Sequence, residues 1–183
     1  LTLPEDQRKT GLRYLVKSYH AGTDVGGGEF YWCEDTLKSS HNGGSVIDPS
    51  ATYPIDWDSV EEVELWLTSS NDGLGCWVGE PIWEVSRFGA CEDFIRNDVI
   101  INHVINLAGT GQVTIDHEYP CSSPVLFHTR SNIYFNVGAF LSTSSVFAGN
   151  SLMFCGEARS VDGTPIGGSM LNPTLKDKYA IPS

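Results

Sequence analysis

Residues 22–32 read GTDVGGGEFYW: three consecutive glycines, Gly26, Gly27 and Gly28, run straight into an aromatic segment. Glycine loses more backbone freedom on folding than any other residue, so such a run marks a place where a Cβ is forbidden. Two kinds of site need that. A phosphate cradle puts glycines at the opening of a helix, aims backbone amides at the anion and adds a lysine. A strand corner uses them for positive φ or for close approach of two backbones. Here the glycines open Glu29-Phe30-Tyr31-Trp32, which is extended in character and begins with an acid, and no Gly-Lys-Ser/Thr follows. The architectural reading therefore prevails. Gly22, Gly26, Gly27 and Gly28 are expected to shape a structural loop, and Gly43 and Gly44 the turn His41-Asn42-Gly43-Gly44. A side chain at Gly27 is expected to misplace Phe30 and Trp32.

Outward from that corner the first 80 or so residues read as short strands split by turns. Leu12–Tyr19 has strand-forming residues with partial alternation. Ser45–Ile47 follows the His41–Gly44 turn, and Cys76–Val78 is another short strand. Glu61–Leu67 alternates acidic and apolar residues before becoming apolar, and is expected to be a half-buried strand ended by Ser69–Gly73. The texture changes near residue 92. In Asn97–Ala108 the residues Ile101, Val104, Ile105 and Ala108 fall at helical spacing, with Asn102 and Asn106 on the other side. Asn97 or Asp98 is expected to cap this helix, and Gly109 and Gly111 to stop it. Extended pieces follow at Gln112–Ile115, Pro124–Phe127, Asn132–Val137 and Ser151–Phe154, and Gly167–Ser183 has loop composition.

Strands this short need partners before they are stable. Stacked in parallel as sides of a coil they share an interior, and a helix ahead of the first coil covers its open end. An antiparallel sandwich fits the same pieces. The expected fold is thus mainly β: a small β module over residues 1–82, then over 83–183 a helix-capped start of a right-handed parallel β-helix.

Composition limits the partners. The chain has 183 residues and a formal net charge of −12, a surface that repels nucleic-acid phosphate and anionic membranes. No apolar run approaches the ~18 residues of a membrane span. Five cysteines without a CxxC pair argue against a disulfide framework or a zinc ribbon, and are expected to be mostly buried thiols made in a cytosol. The N-terminus lacks the layout of a signal peptide. No cofactor and no metal site is expected.

Three stretches carry a resemblance: Val16–Trp32, containing Tyr19-His20-Ala21-Gly22 and the glycine run; Asn42-Gly43-Gly44-Ser45-Val46-Ile47; and Gly73-Leu74-Gly75-Cys76-Trp77. In this order they resemble the N-terminal module of bacteriophage tailspike and tail fibre proteins, with its "YHAG…GGGxFxW", "GGTVI" and "GxGxW" stretches. Trp83–Asp93, with Phe88-Gly89-Ala90, and the helix after it are similar to the opening of a pectate-lyase-like right-handed β-helix. Two departures stand out. The family's "DgxtDnt" is here Asp93-Phe-Ile-Arg-Asn-Asp98, and its "VxxPpGxY" is Val113-Thr-Ile-Asp-His-Glu-Tyr119, without the Pro-Gly turn. The resemblance implies a homotrimeric virion component, assembled in the bacterial host cytoplasm. It would join other tail or baseplate proteins to a β-helix that binds host surface polysaccharide, with Ile101, Val104 and Ile105 as the helix that caps that β-helix. The alternative it implies is a depolymerase, glycosidase or lyase, acting on capsule or lipopolysaccharide; no catalytic residue is assigned.

Other chemistry-bearing groups are few. Asp56, Asp58, Glu61, Glu62 and Glu64 form the densest acidic cluster; paired carboxylates cleave glycosides when suitably spaced, but clustered charge on a half-exposed element is ordinarily a solvated face. In Asp116-His117-Glu118, Asp116 and Glu118 could share one side of a strand and, with His128, move a proton or bind a metal; a polar corner is the competing reading. His20 is expected to orient the glycine loop. Tyr31, Trp32, Trp57, Trp66, Trp77 and Trp83 could stack on sugar rings or fill a core. Trp57, flanked by Asp56 and Asp58, is expected to be the exposed one and a possible sugar contact.

Overall fold

The computed structural model describes residues 5–123, 125 and 132–136, and the backbone course at 140–142, 152–154 and 170–171. The chain divides into two compact units, Leu1–Ile82 with Arg87–Gly89, and Trp83–Ser86 with Ala90–Ser183.

The first unit is built on strands β1 (Arg13–Ser18), β2 (Gly26–Leu37), β3 (Val46–Ile47) and β4 (Leu74–Gly79), with helix α1 (Val60–Leu67) between β3 and β4. They form one antiparallel sheet in the order β1-β2-β4-β3. Residues directly opposite one another share a face, so Tyr14, Phe30 and Gly79 stand together, and Trp32, Trp77 and Ile47 beside them. That face is the core: Phe30, Trp32, Trp77 and Ile47 are buried, and the Trp77 ring meets Tyr14 at 5.4 Å and Trp32 at 5.3 Å edge to face.

Glu61–Leu67, expected as a strand, is helix α1. Its buried residues are Val63, Trp66 and Leu67, at i, i+3 and i+4, the period of a helix rather than of a strand. Ser59 is the N-cap, its hydroxyl accepting from the Glu62 amide at 3.4 Å. The signal for this helix was in the sequence as Ser59-Val60-Glu61-Glu62, the S-x-x-E of a capping box. The alternating acids masked it.

In the second unit helix α2 (Asn97–Ala108) buries Ile100, Ile101, Val104 and Ile105, and ends at Gly109 with φ 58°. The expected side-chain cap is absent: Arg96 occupies the N-cap position without a capping bond. Asn97 is instead a bracket. Its Oδ1 accepts from the Cys91 amide at 2.9 Å, and its Nδ2 lies 2.9, 2.6 and 2.8 Å from the carbonyls of Cys91, Phe94 and Pro120. Asp98 accepts from Arg96 at 2.9 Å and from the Ser122 amide at 3.2 Å. The altered loop thus keeps a polar clamp in which buried groups satisfy backbone.

After the helix come β5 (Gln112–Ile115), β6 (Glu118–Pro120), β7 (Asn132–Phe135), β8 (Phe140–Ser142), β9 (Leu152–Phe154) and β10 (Met170–Leu171). β5 pairs with β7, β7 with β9, and β6 with β8, all parallel. Val113 opposes Ile133 and Ile133 opposes Leu152, steps of 20 and 19 residues. Glu84 adds a parallel bridge to Thr114, whose amide donates to the Trp83 carbonyl at 2.8 Å. Val113, Ile115, Ile133 and Phe135 are buried, so like residues stack on like. Met170–Leu171, within the tail of loop composition, pairs antiparallel with β9.

Candidate functional site

The glycine corner belongs to the first unit. β2 begins at Gly26, earlier than expected, with φ 74°. At Gly27 a Cβ would fall on the backbone carbonyl oxygens of Val16 and Lys17, and at Gly28 on the guanidinium of Arg87. At Gly44 it would strike the Phe88 ring, which is fully buried. Gly22 and Gly43 have φ of 88° and 76°. The lysine at this corner, Lys17, is exposed and pairs with Asp24 of the loop at 2.8 Å.

Around this corner a cluster of rings is tied by hydrogen bonds to the turns of the same unit. The Tyr19 hydroxyl donates to the Gly43 carbonyl at 2.6 Å and accepts from Trp66 Nε1 at 2.8 Å. Burial pushes the Tyr19 phenol far above its ordinary range, more than the Trp66 bond lowers it. His20 Nε2 lies 2.8 Å from the Gly89 carbonyl and therefore carries the proton; Nδ1 then accepts from the Tyr53 hydroxyl at 3.1 Å. Burial lowers the His20 pKa, and the Gly89 bond only partly opposes it, consistent with a neutral ring. His41 accepts from the Asp48 amide at Nδ1 and donates from Nε2 to the Trp66 carbonyl at 2.7 Å. The Asp48 carboxylate, wholly buried, accepts from Ser50 and from Asn71 at 2.7 Å, with Lys38 at 3.8 Å. Burial pushes its pKa up, but those hydrogen bonds and the lysine outweigh it and hold it below the usual carboxylate range.

Trp57 lies in this cluster and is only 6% exposed. Its ring meets His20 at 4.7 Å, Tyr53 at 5.3 Å and Tyr19 at 5.7 Å, all edge to face. The expectation of an exposed, sugar-facing Trp57 is corrected. The flanking Asp56 and Asp58 are exposed because the turn sends them outward and Trp57 inward. Trp32, Trp66 and Trp77 are buried, Trp83 half-buried and Tyr31 exposed. An exposed ring that sequence reasoning missed is Tyr53, beside a cleft of about 380 Å³ whose walls include Val16, Phe30, Ile47, Pro49, Tyr53 and Trp66. Its only local signal was Tyr53-Pro54, a turn with an aromatic before it.

The acidic cluster does not form a catalytic pair around this cleft. Glu62 uses Oε2 to accept from the amides of Ile55, at 2.8 Å, and Asp56, at 3.1 Å, while Asp56 Oδ1 accepts from the Asp58 amide at 2.9 Å. Glu61 and Glu64 are exposed on α1.

In the second unit Asp116, expected to share a side with Glu118, instead meets its chain neighbour His117, with Nδ1 2.8 Å from Asp116 Oδ2, while the Tyr119 hydroxyl donates to Oδ1 at 2.8 Å. Glu118 is exposed and has no part in this set. Burial and the Asp116 charge drive the Tyr119 phenol strongly upward. A polar corner thus stands here, with one imidazole oriented by a carboxylate. His128 and Cys155 lie outside the described residues. Cys33, Cys76, Cys91 and Cys121 are free thiols; burial raises Cys76 to about 11 and Cys121 to about 12. Among the described residues no group of three or more His, Cys, Asp or Glu could hold a metal ion, and no helix is long and apolar enough to cross a membrane.

The four-stranded sheet with its glycine corner is the feature that comparison with known proteins picks out. Residues 4–79 match the family described as the phage tail protein small four-stranded beta-sheet domain. The first unit is similar to that phage tail β-sheet domain. Comparison with curated protein sequences finds no match. Among solved structures, the full-length tailspike protein 2 of Escherichia coli O157:H7 bacteriophage CAB120 is similar at 18% identity and TM-score 0.50, over 73% of this chain and 15% of that one. The tailspike protein of Acinetobacter phage vB_ApiP_P1 is similar at 17% identity and TM-score 0.51, over 80% of this chain and 26% of that one. The enzymatically active domain of bacteriophage CBA120 tailspike protein 2 is similar at 18% identity and TM-score 0.51, over 73% of this chain and 17% of that one. These likenesses are of fold, and the chain spans about a quarter or less of the length of those tailspikes.

Proposed function

We propose that this chain is the virion-side part of a tailspike or tail fibre, which joins the phage tail to a host-polysaccharide-binding β-helix during adsorption. The observation that carries the reading is the match of residues 4–79 to the phage tail β-sheet family, in a unit whose polar side chains are spent on holding turns together. Such a unit is suited to presenting a fixed surface rather than to turnover. The parallel pairings β5-β7-β9 and β6-β8, at steps near twenty residues, support reading the second unit as the opening coils of a right-handed β-helix, with Ile101, Val104 and Ile105 of α2 covering its end. We take the assembly to be a homotrimer in the virion, put together in the host cytoplasm, where each weak contact to a tail or baseplate protein is repeated three times.

The test has two parts. Light scattering should give three times the 20.0 kDa chain mass, and the chain should co-sediment with tails purified from a spike-less phage. A chain that stays monomeric and in the supernatant sinks the reading. Depolymerase activity, supported only by the likeness of fold to an enzymatically active tailspike domain, is the second reading; turnover of host capsule or lipopolysaccharide by this chain would put it first.

A further inference from the structure

Between Lys38 and Arg87 the chain has no lysine or arginine, while carboxylates recur through the interval. Asp56, Asp58, Glu61 and Glu64 are exposed there. Glu61, Glu64, Leu65 and Thr68 make the solvent face of α1, at i, i+3, i+4 and i+7. Within this interval stand three exposed apolar side chains: Ile55 at 95%, Leu65 at 60% and Tyr53 at 47%. Two of them are held in place. Glu62 clamps the Ile55 and Asp56 amides to the start of α1. The Tyr53 hydroxyl is fixed on His20, and its ring rests edge-on against Trp57 and, at 5.4 Å, Trp66. An apolar group held rigidly in water loses little further freedom on binding, which is what an anchor in an interface requires.

The cleft beside Tyr53 selects what can enter. Its wall polar groups are already engaged within the chain: Ser18 Oγ donates to the His20 carbonyl, Asp48 is filled by Ser50 and Asn71, and Trp66 Nε1 donates to Tyr19. A sugar would bring hydroxyls into a site with few open partners, at a cost of about 1–3 kcal/mol for each one left unbonded. An aliphatic or aromatic side chain would bring none. The exposed acids that follow Tyr53 in the chain, Asp56, Asp58, Glu61 and Glu64, favour cations on a partner that reaches this face.

We propose that the Tyr53–Ile55–Leu65 face and its cleft dock a basic segment of a partner protein, which inserts an apolar or aromatic side chain between flanking lysines or arginines. This rests on the tail-attachment reading and gives the chemistry of the tail-side partner. The probe is the peptide Lys-Lys-Trp-Lys-Lys, with Glu-Glu-Trp-Glu-Glu as counterpart, followed by amide chemical shifts and calorimetry. The basic peptide should bind, move signals of residues 49–55 and 66, and weaken roughly tenfold when salt shrinks the Debye length from about 10 Å to about 3 Å. Ile55→Asn, at an almost fully exposed position and without a change of charge, should fold normally and lose most of that affinity. Equal binding of the acidic peptide, binding of neither, full affinity in Ile55→Asn, or the same shifts with host oligosaccharide would each overturn the proposal. If spike-less tails take up Ile55→Asn as well as wild type, this surface is wrong and tail attachment stands. If wild type fails to join tails yet binds the basic peptide here, attachment is wrong and the surface stands.

Discussion

The two units solve the problem of short strands in opposite ways. In the first, strands run antiparallel and each glycine motif meets a particular partner. Gly44 lies on Phe88, Gly28 on Arg87, and Tyr19 and His20 reach the carbonyls of Gly43 and Gly89. In the second, strands run parallel and rungs repeat, Val113 over Ile133 and Ile115 over Phe135, with Asn97 as the main polar bracket. A closed network has a distinct demand at every position. A stacked array asks only for apolar residues at the right step, and its neighbours share any local loss.

The largest expected effect separates them. Trp57→Ala removes a buried ring touching three others and should cost about 3–5 kcal/mol, as buried aromatic truncations do. Hydrogen exchange should accelerate in β2 and β4 much more than in β5. Ile101→Ala, in the buried face of α2, should cost about 2–5 kcal/mol and show the reverse pattern. Acceleration spread evenly over both sheets in either variant would break the contrast.

That contrast also explains what could be read from the sequence. Helix α2 was legible because Ile101, Val104 and Ile105 keep a helical period and Gly109 stops the chain. β1, β3 and β4 were legible from turns such as Asn42-Gly43-Gly44, where Asn42 Oδ1 accepts from the Gly44 and Val46 amides. In α1 the acids at 62 and 64 imitate a strand, since Glu62 faces the preceding loop and Leu65 faces water. Trp57 was misplaced for a related reason: charge on both neighbours says nothing about a residue in a turn. The cleft was invisible because its walls come from β1, β2, the 47–53 segment and α1, which only the fold brings together.

A middle-sized effect sharpens the comparison at its glycines. Gly27→Val would place Cβ on two backbone oxygens of β1, which cannot rotate away as a side chain can. The substitution should destabilise by roughly 1–3 kcal/mol or more, as overpacking does, and separate β1 from β2. Denaturant unfolding monitored by tryptophan fluorescence checks this. Gly111→Val, in the second unit, faces the Ala108 carbonyl at 3.0 Å and the Trp83 ring beyond it; it should be milder. Equal losses at the two sites would remove the claim that close backbone approach is special to the first unit.

The smallest effect is a pH dependence, and it comes from the histidine that links Gly89 to Tyr53. His20 has a lowered pKa in the folded chain, chiefly through burial, against about 6.5 for a free imidazole. As pH falls through that free value the unfolded chain takes up a proton that the folded chain resists. Stability is therefore fully present above it and declines on acidification, until the folded-state pKa is reached. Because His20 is only partly buried, the slope should stay well under the one-proton limit of about 1.4 kcal/mol per pH unit. Asp48 acts in the same direction but lower: its depressed pKa makes a contribution lost only as pH drops below the ordinary carboxylate range of about 4. Between these two ranges Asp48 adds no slope, and a His20 variant singles out that ring from the other histidines. There the wild-type denaturant midpoint should drift downward with acid while His20→Gln, which keeps a donor for Gly89 and cannot titrate, drifts less. Identical drifts would mean that the ring takes its proton without disturbing Tyr53 or Gly89, and the tether that distinguishes the first unit would be dispensable.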